Sequence, residues 1–185
     1  MRDVVLVHGN ENAFIATAIK LGCSELVFLS TNPSYTYKSI HSNIRIKTAY
    51  LLNNHNELPR VRHKFDFLFA RADRQGFEAP VDYIVGLESG EGKDSMHYRN
   101  THLNQVHARI AKINNTRIAL DFGLLRSSSN HERQMLYGRM LQDAVLLRKH
   151  KLSTEVFSFA RHPIELIDSQ SREALARILG VKTVK

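Results

Sequence analysis

The chain has a single cysteine, Cys23, among its 185 residues. One thiol excludes an internal disulfide and any cysteine-rich zinc cluster. The expectation is a buried, inert side chain. Long apolar runs are also missing. No segment approaches the ~20 apolar residues that span a bilayer. The opening "MRDVVLVHGN" is too short in its apolar run for a signal peptide. These absences predict a soluble, cytoplasmic protein. There is no low-complexity stretch and no Pro- or Ser-rich linker, so residues 1–185 read as one domain.

The familiar motifs of nucleotide and acyl-transfer chemistry are absent too. The chain has no G-x-x-x-x-G-K-[ST] and no G-x-G-x-x-G to cradle phosphates. It has no G-x-S-x-G elbow for a serine nucleophile. "GLESGEG" (86–92) is rich in glycine, but its glutamates would repel phosphate, and it reads as a loop. No His-x-His pair occurs. His97, His102 and His107 lie five residues apart, which does not stack them on one helix face. His41, His55 and His63 fall in or near loops. No metal site is expected in the protein.

Positive charge is present, and it is unevenly placed. Residues 1–92 balance ten Lys/Arg against ten Asp/Glu, whereas residues 93–162 hold twelve against five, with six of the ten histidines. A local excess of this kind favours a polyanionic partner, most often nucleic acid. The alternative is a solvated basic surface.

Seven short apolar segments read as strands: 3–7, 25–30, 46–52, 65–70, 82–87, 117–122 and 155–160. Several are continuous apolar runs, as in parallel strands covered on both faces. Helices fall between them. Residues 12–22 and 171–180 each end in glycine. Ser129 and Glu132 are spaced for a capping box opening a long helix, which lines up Leu136, Met140, Ala144 and Leu147. In "HLNQVHARIAKINNTRIALDFGLLR" (102–126), Leu103, Val106, Ile110 and Ile113 form an apolar stripe predicted to pack on the sheet. Arg109 and Lys112 would then face outward. Alternating strands and helices mean α/β, either a compact barrel or an open doubly wound sheet.

In both architectures function sits at the carboxyl ends of the strands. Those ends offer His8, Ser30, Asn53, Arg71, Glu88, Asp121 and Arg161. Asp121 could act as a general base, although such a residue more often caps the following turn or pairs with an arginine. The better signal is basic: Arg71, Arg74, Arg99, Arg109, Lys112, Arg117, Arg133 and Lys149. Aromatics fall inside strands, which argues against a single-strand stacking platform and for recognition of folded RNA through its backbone.

"HLNQVHARIAKINNTRIALDFGLLR", "HERQMLYGRMLQDAVLLRKHKL", "EVFSFAR" and "SREALARILGV" together resemble ribonuclease P protein component 3. The similarity runs from about residue 82 to 181. The resemblance implies a compact TIM-barrel-like fold, distantly similar to the PHP phosphoesterases. It implies a non-catalytic subunit of the ribonucleoprotein that removes the 5′ leader from precursor tRNA. There the RNA subunit carries the Mg²⁺-dependent endonuclease chemistry, and the protein itself needs no cofactor. The implied partners are the ribonuclease P RNA, protein component 2, the other protein subunits and, through the holoenzyme, precursor tRNA. Arg71, Arg74, Arg99, Arg109 and Lys149 fall on basic positions of the family. Lys112 and Arg117 flank Asn114, where the family has a lysine, and Arg161 or Arg172 would replace a family arginine after the last strand. The alternative reading is a PHP-like metal-dependent phosphoesterase, which the missing His-x-His speaks against.

Overall fold

The computed structural model describes residues 2–37, 43–90, 92–95 and 98–182. His41, His97 and Glu91 lie outside them. Seven strands appear where the apolar runs predict them: β1 (Arg2–Leu6), β2 (Glu25–Ser30), β3 (Arg45–Leu51), β4 (Phe67–Arg71), β5 (Tyr83–Val85), β6 (Arg117–Asp121) and β7 (Thr154–Phe157). All six neighbouring pairs are parallel, and spatial order equals sequence order. That order selects the barrel over the doubly wound sheet, whose strand order reverses at its centre.

Closure is nearly complete. One parallel bridge joins Val5 to Ala160, just beyond β7, and the Leu6 N–H donates to the Ala160 carbonyl at 2.8 Å. The rest of the seam is held by side chains. Asp3 Oδ1 accepts the Ser158 N–H at 2.8 Å, and the Ser158 hydroxyl donates to Asp3 Oδ2. Arg172, fully buried, donates from Nη1 to the Arg2 carbonyl (2.8 Å) and the Val156 carbonyl (3.1 Å), and sits 3.4 Å from Asp3. Its Nε donates to the Ile167 carbonyl at 3.2 Å. A polar wedge thus supplies bonds that a continuous β1–β7 ladder would otherwise make. Arg172 is therefore part of the core, which corrects the expectation that it stands in for an RNA-binding arginine.

The interior follows the period-two alternation of strands. Val4, Val27, Leu29, Ala49, Leu51, Phe69, Tyr83, Ala119, Phe157 and Phe159 fill it. At the amino end a network plugs the barrel. Arg2 bonds Glu25 and, at 2.9 Å, the Tyr83 hydroxyl. That hydroxyl donates to Glu155 at 2.6 Å. Arg117 pairs with Glu155 at 3.4 Å, and its guanidinium lies 4.2 Å from the Tyr83 ring centre.

Helices cover the outside. They are α1 (Glu11–Lys20), α2 (Leu58–Val61), α3 (Arg74–Glu78), α4 (Gln105–Ile113), α5 (Phe122–Ser127), α6 (Asn130–Lys149) and α7 (Ser169–Leu179). The Ser129–Glu132 capping box opens α6, and Leu136, Met140, Ala144 and Leu147 are buried as predicted. Asp168 caps the start of α7, and Gly180 ends it at φ 67°, where a Cβ would be strained.

The face of α4 differs from the sequence expectation. Val106 is 63% exposed and Ile113 81%. Of the expected stripe Ile110 does pack against the core, half-buried; the rest of the inner face is Ala108 and Ala111, with His107 stacked on Phe77 at 4.6 Å. Asn104 caps the helix, so Leu103 is buried ahead of it and does not set the helical phase. The two alanines carry little side chain, which lets the helix lie close against its neighbours. Replacing Val106 and Ile113 by Ser is expected to shift stability by no more than about 0.5 kcal/mol. A drop of several degrees in Tm would restore the original stripe.

Candidate functional site

The carboxyl ends of the strands surround a cavity of about 550 Å³. Leu6, Leu29, Leu51, Val85 and Phe159 form its apolar depth. His8, Arg71, His102 and Arg161 surround it with Asp73, Glu88 and Asp121. Ser30 and Asn53, also expected at strand ends, serve loops instead. Ser30 Oγ accepts the Asn32 N–H at 3.0 Å, and Asn53 donates to the Thr31 carbonyl at 3.2 Å.

The carboxyl groups here have different tasks. Asp121 Oδ1 accepts the Leu124 N–H at 2.9 Å and so caps α5, the commoner of its two predicted roles. Burial pushes its pKa up to about 7, against the pull of the α5 N–H groups and Arg161. Glu88 lies in the turn Leu87–Ser89, set by Gly86 at φ 82°. It is fully buried, and no side chain bonds its carboxyl oxygens; the nearby donors are the backbone N–H groups of Glu88 and Asp121. Burial, with Asp121 and Asp143 nearby, pushes it up to about 8. Asp143, buried on α6, is pushed up to about 7, again by burial, against the pull of the Thr101 hydroxyl and Arg139. The turn around Glu88 agrees with the reading of "GLESGEG" as a loop over the described residues 86–90. Among the described residues, no three His, Cys, Asp or Glu side chains are grouped as a metal site.

Arg139 anchors the loop that carries Glu88. Its Nη1 donates to the Glu88 (3.2 Å) and Gly90 (2.8 Å) carbonyls, and its Nη2 to Gly92 (3.0 Å). Its Nε pairs with Asp94 at 2.9 Å. Arg139 and Asp143 escaped the sequence reading. Their signal was there: both are charged residues on the Leu136–Met140–Leu147 face of a helix.

The eight basic residues do not form one cluster. Arg71 is at the barrel mouth, exposed, and its guanidinium makes no hydrogen bond or ion pair among the described residues. Arg74 pairs with Glu78 at 3.0 Å on α3. Arg99 pairs with Asp94 at 3.2 Å and lies over Gly138 of α6. Arg133 is committed to the end of α5, donating to the Leu125 (2.8 Å), Ser128 (2.9 Å) and Arg126 (3.3 Å) carbonyls. Arg117 belongs to the amino-end plug. Arg109 is exposed midway along α4, beside Val106 and Ile113. Lys112 and Lys149 end α4 and α6 at the opposite rim from the mouth. There Lys112 donates to the Lys151 carbonyl at 3.3 Å, which brings the two helix ends together. Arg99 and Arg117 flank α4, but its nine residues separate them by about 13 Å of helix.

No family model and no curated protein matches this chain. Solved structures do. One chain of the cryo-EM structure of archaeal ribonuclease P with mature tRNA superposes with a TM-score of 0.76 at 14% identity, over 98% of this chain and 83% of that one. A crystal structure of an uncharacterized protein matches with a TM-score of 0.56 at 6% identity, over 97% of this chain and 69% of that one. At these identities the likeness is one of fold: the chain has the TIM-barrel-like fold found within archaeal ribonuclease P.

Proposed function

We propose that this chain is an RNA-binding, non-catalytic protein subunit of ribonuclease P that supports removal of the 5′ leader from precursor tRNA. The observation that carries this reading is the near end-to-end fold match to a chain of the archaeal holoenzyme. The motif order along residues 82–181 and the local excess of cations add to it. In this reading the RNA subunit and its Mg²⁺ perform the cleavage. Protein component 2 and the other subunits are the protein partners.

The RNA face of this proposal is the rim where α4 and α6 end. Lys112, Lys149 and Lys151 are exposed there, with Arg109 a turn back along α4, and none of them makes an ion pair among the described residues. Exposed cations of this kind release counterions from phosphates, and the bond given up is the one Lys112 makes to the exposed Lys151 carbonyl. Arg117 and Arg133 are spent on the barrel and are left out of the face.

The test is the affinity for ribonuclease P RNA as a function of salt. The triple variant Arg109→Ala, Lys112→Ala, Lys149→Ala is expected to bind more weakly. Its log–log salt slope should flatten by roughly 0.7 to 0.9 per lost contact. Its melting curve should stay within about 0.5 kcal/mol of wild type. An unchanged slope in the folded variant would move the RNA face elsewhere.

A further inference from the structure

Helix α6 has two apolar faces, and only one of them packs on the barrel. Leu136, Met140, Ala144 and Leu147 point inward and are buried. Tyr137, Leu141 and Val145 repeat at four-residue steps on the outer side, so they stand one above another along the helix. Leu141 is 40% exposed and Val145 54%. Arg148 shares the face of Tyr137, about three turns further on. Its Nη1 donates to the Leu179 carbonyl of α7 at 2.8 Å. This face of α6 therefore looks along α7, where Ile178, next to Leu179, is 64% exposed. At the other end Tyr137 joins Phe122 and Leu125 in a cavity of about 630 Å³ between α5 and α6. Ile164, almost fully exposed, adjoins it, since Arg126 of the cavity wall donates to the Ile164 carbonyl at 3.4 Å.

We propose, on the basis of the ribonuclease P reading, that this strip along α5, α6 and α7 docks another protein subunit, which lays an amphipathic helix with acidic flanks on it.

Length and chemistry select the occupant. From Gln134 to Arg148 the strip runs about 21 Å, or roughly four turns of helix. An incoming helix with apolar anchors at i, i+4 and i+7 matches such a strip. Strand addition would need a free sheet edge, and the edges of β1 and β7 are taken up at the seam by the Val5–Ala160 bridge and Arg172. Arg126 and Arg133 stand at the upper end of the strip and Arg148 at the lower, and none makes an ion pair among the described residues. The acids of these elements are turned elsewhere. Glu132 bonds Ser129 at the α6 cap, and Glu165 accepts the Arg161 and His162 N–H groups. Glu173 is about 140° around α7 from Ile178. Acidic groups at both ends of a partner helix complement this pattern. A second copy does not, because its own exposed Val106 and Ile113 flank Arg109 and Lys112, which would bring cations to cations. RNA would leave Leu141, Val145 and Ile178 uncovered.

The experiment is photo-crosslinking in reconstituted ribonuclease P, with p-benzoylphenylalanine in place of Val145. The expected product joins this chain to another protein subunit, at a helix that carries Asp or Glu on both sides of its apolar stripe. Binding to the RNA-free mixture of protein subunits is measured alongside. Val145→Glu with Ile178→Glu is expected to weaken that binding at least tenfold with an unchanged melting curve. Arg126→Glu should weaken it most at low salt. A crosslink to RNA or to a second copy, no crosslink in an assembled complex, or full affinity in the double glutamate variant would overturn the docking site alone. A wild-type chain that fails to join the complex would overturn the ribonuclease P reading and the docking site with it.

Discussion

Arg172→Ala is expected to destabilise the protein by about 3–5 kcal/mol, the usual cost of removing one partner from a buried ion pair. The side chain is fully buried at the β1–β7 seam, and four oxygens depend on it: the carbonyls of Arg2, Val156 and Ile167, and the Asp3 carboxylate. Burial pushes the Asp3 pKa up, while Arg172 and Ser158 pull it down. An arginine cannot give up its proton here, so its removal leaves the carboxylate stranded. For a chain of this length the loss corresponds to a fall in Tm on the order of 6–20 °C. Urea unfolding of Arg172→Ala, Asp3→Asn and the double variant measures it. A loss below 1 kcal/mol, or strict additivity of the two changes, would mean that the seam is held by something else.

The second large effect concerns pH. Glu88 is held at about 8 in the folded chain, against an ordinary value of 4.5. Below pH 4.5 both states are protonated there and the group is neutral in the balance. Between 4.5 and 8 the unfolded chain gives up this proton and the folded chain keeps it, so stability falls as pH rises. Above about 8 the loss is complete. Asp121 and Asp143, both raised to about 7, act in the same direction and titrate together with Glu88. Glu88→Gln removes the largest of these shifts. It is expected to match wild type near pH 4.5 and to exceed it by about 4 kcal/mol at pH 8, a gain in Tm on the order of 8–16 °C. Chemical denaturation at several pH values checks it. Parallel stability curves for wild type and variant across that range would contradict the account of Glu88.

The α/β alternation was legible because the strands are short, apolar and separated by helices with ordinary caps, but that pattern left barrel and open sheet both open, and the barrel came from the resemblance. Ser129 and Glu132 marked the start of α6 to the residue. What the sequence could not show was phase and partnership. In α4 the branched residues Val106 and Ile113 look like a core stripe, yet two alanines take the inner face. The eight basic residues look alike in sequence. Only the fold separates Arg117 in the plug and Arg133 on the α5 carbonyls from Lys112 and Lys149, which remain exposed. Arg172 was a candidate to replace a family arginine and is instead the bolt of the seam. In each case the missing information was a contact between segments far apart in sequence.

The central claim is that this chain acts as a subunit of ribonuclease P and not as an enzyme by itself. The most direct measurement is cleavage of precursor tRNA by ribonuclease P RNA reconstituted with its protein subunits, with and without this chain. The chain is expected to join the complex and to raise 5′-leader removal, most visibly at low Mg²⁺, while the RNA-free protein cleaves nothing. Equal cleavage with and without the chain, or cleavage by the protein in the absence of RNA, would contradict it.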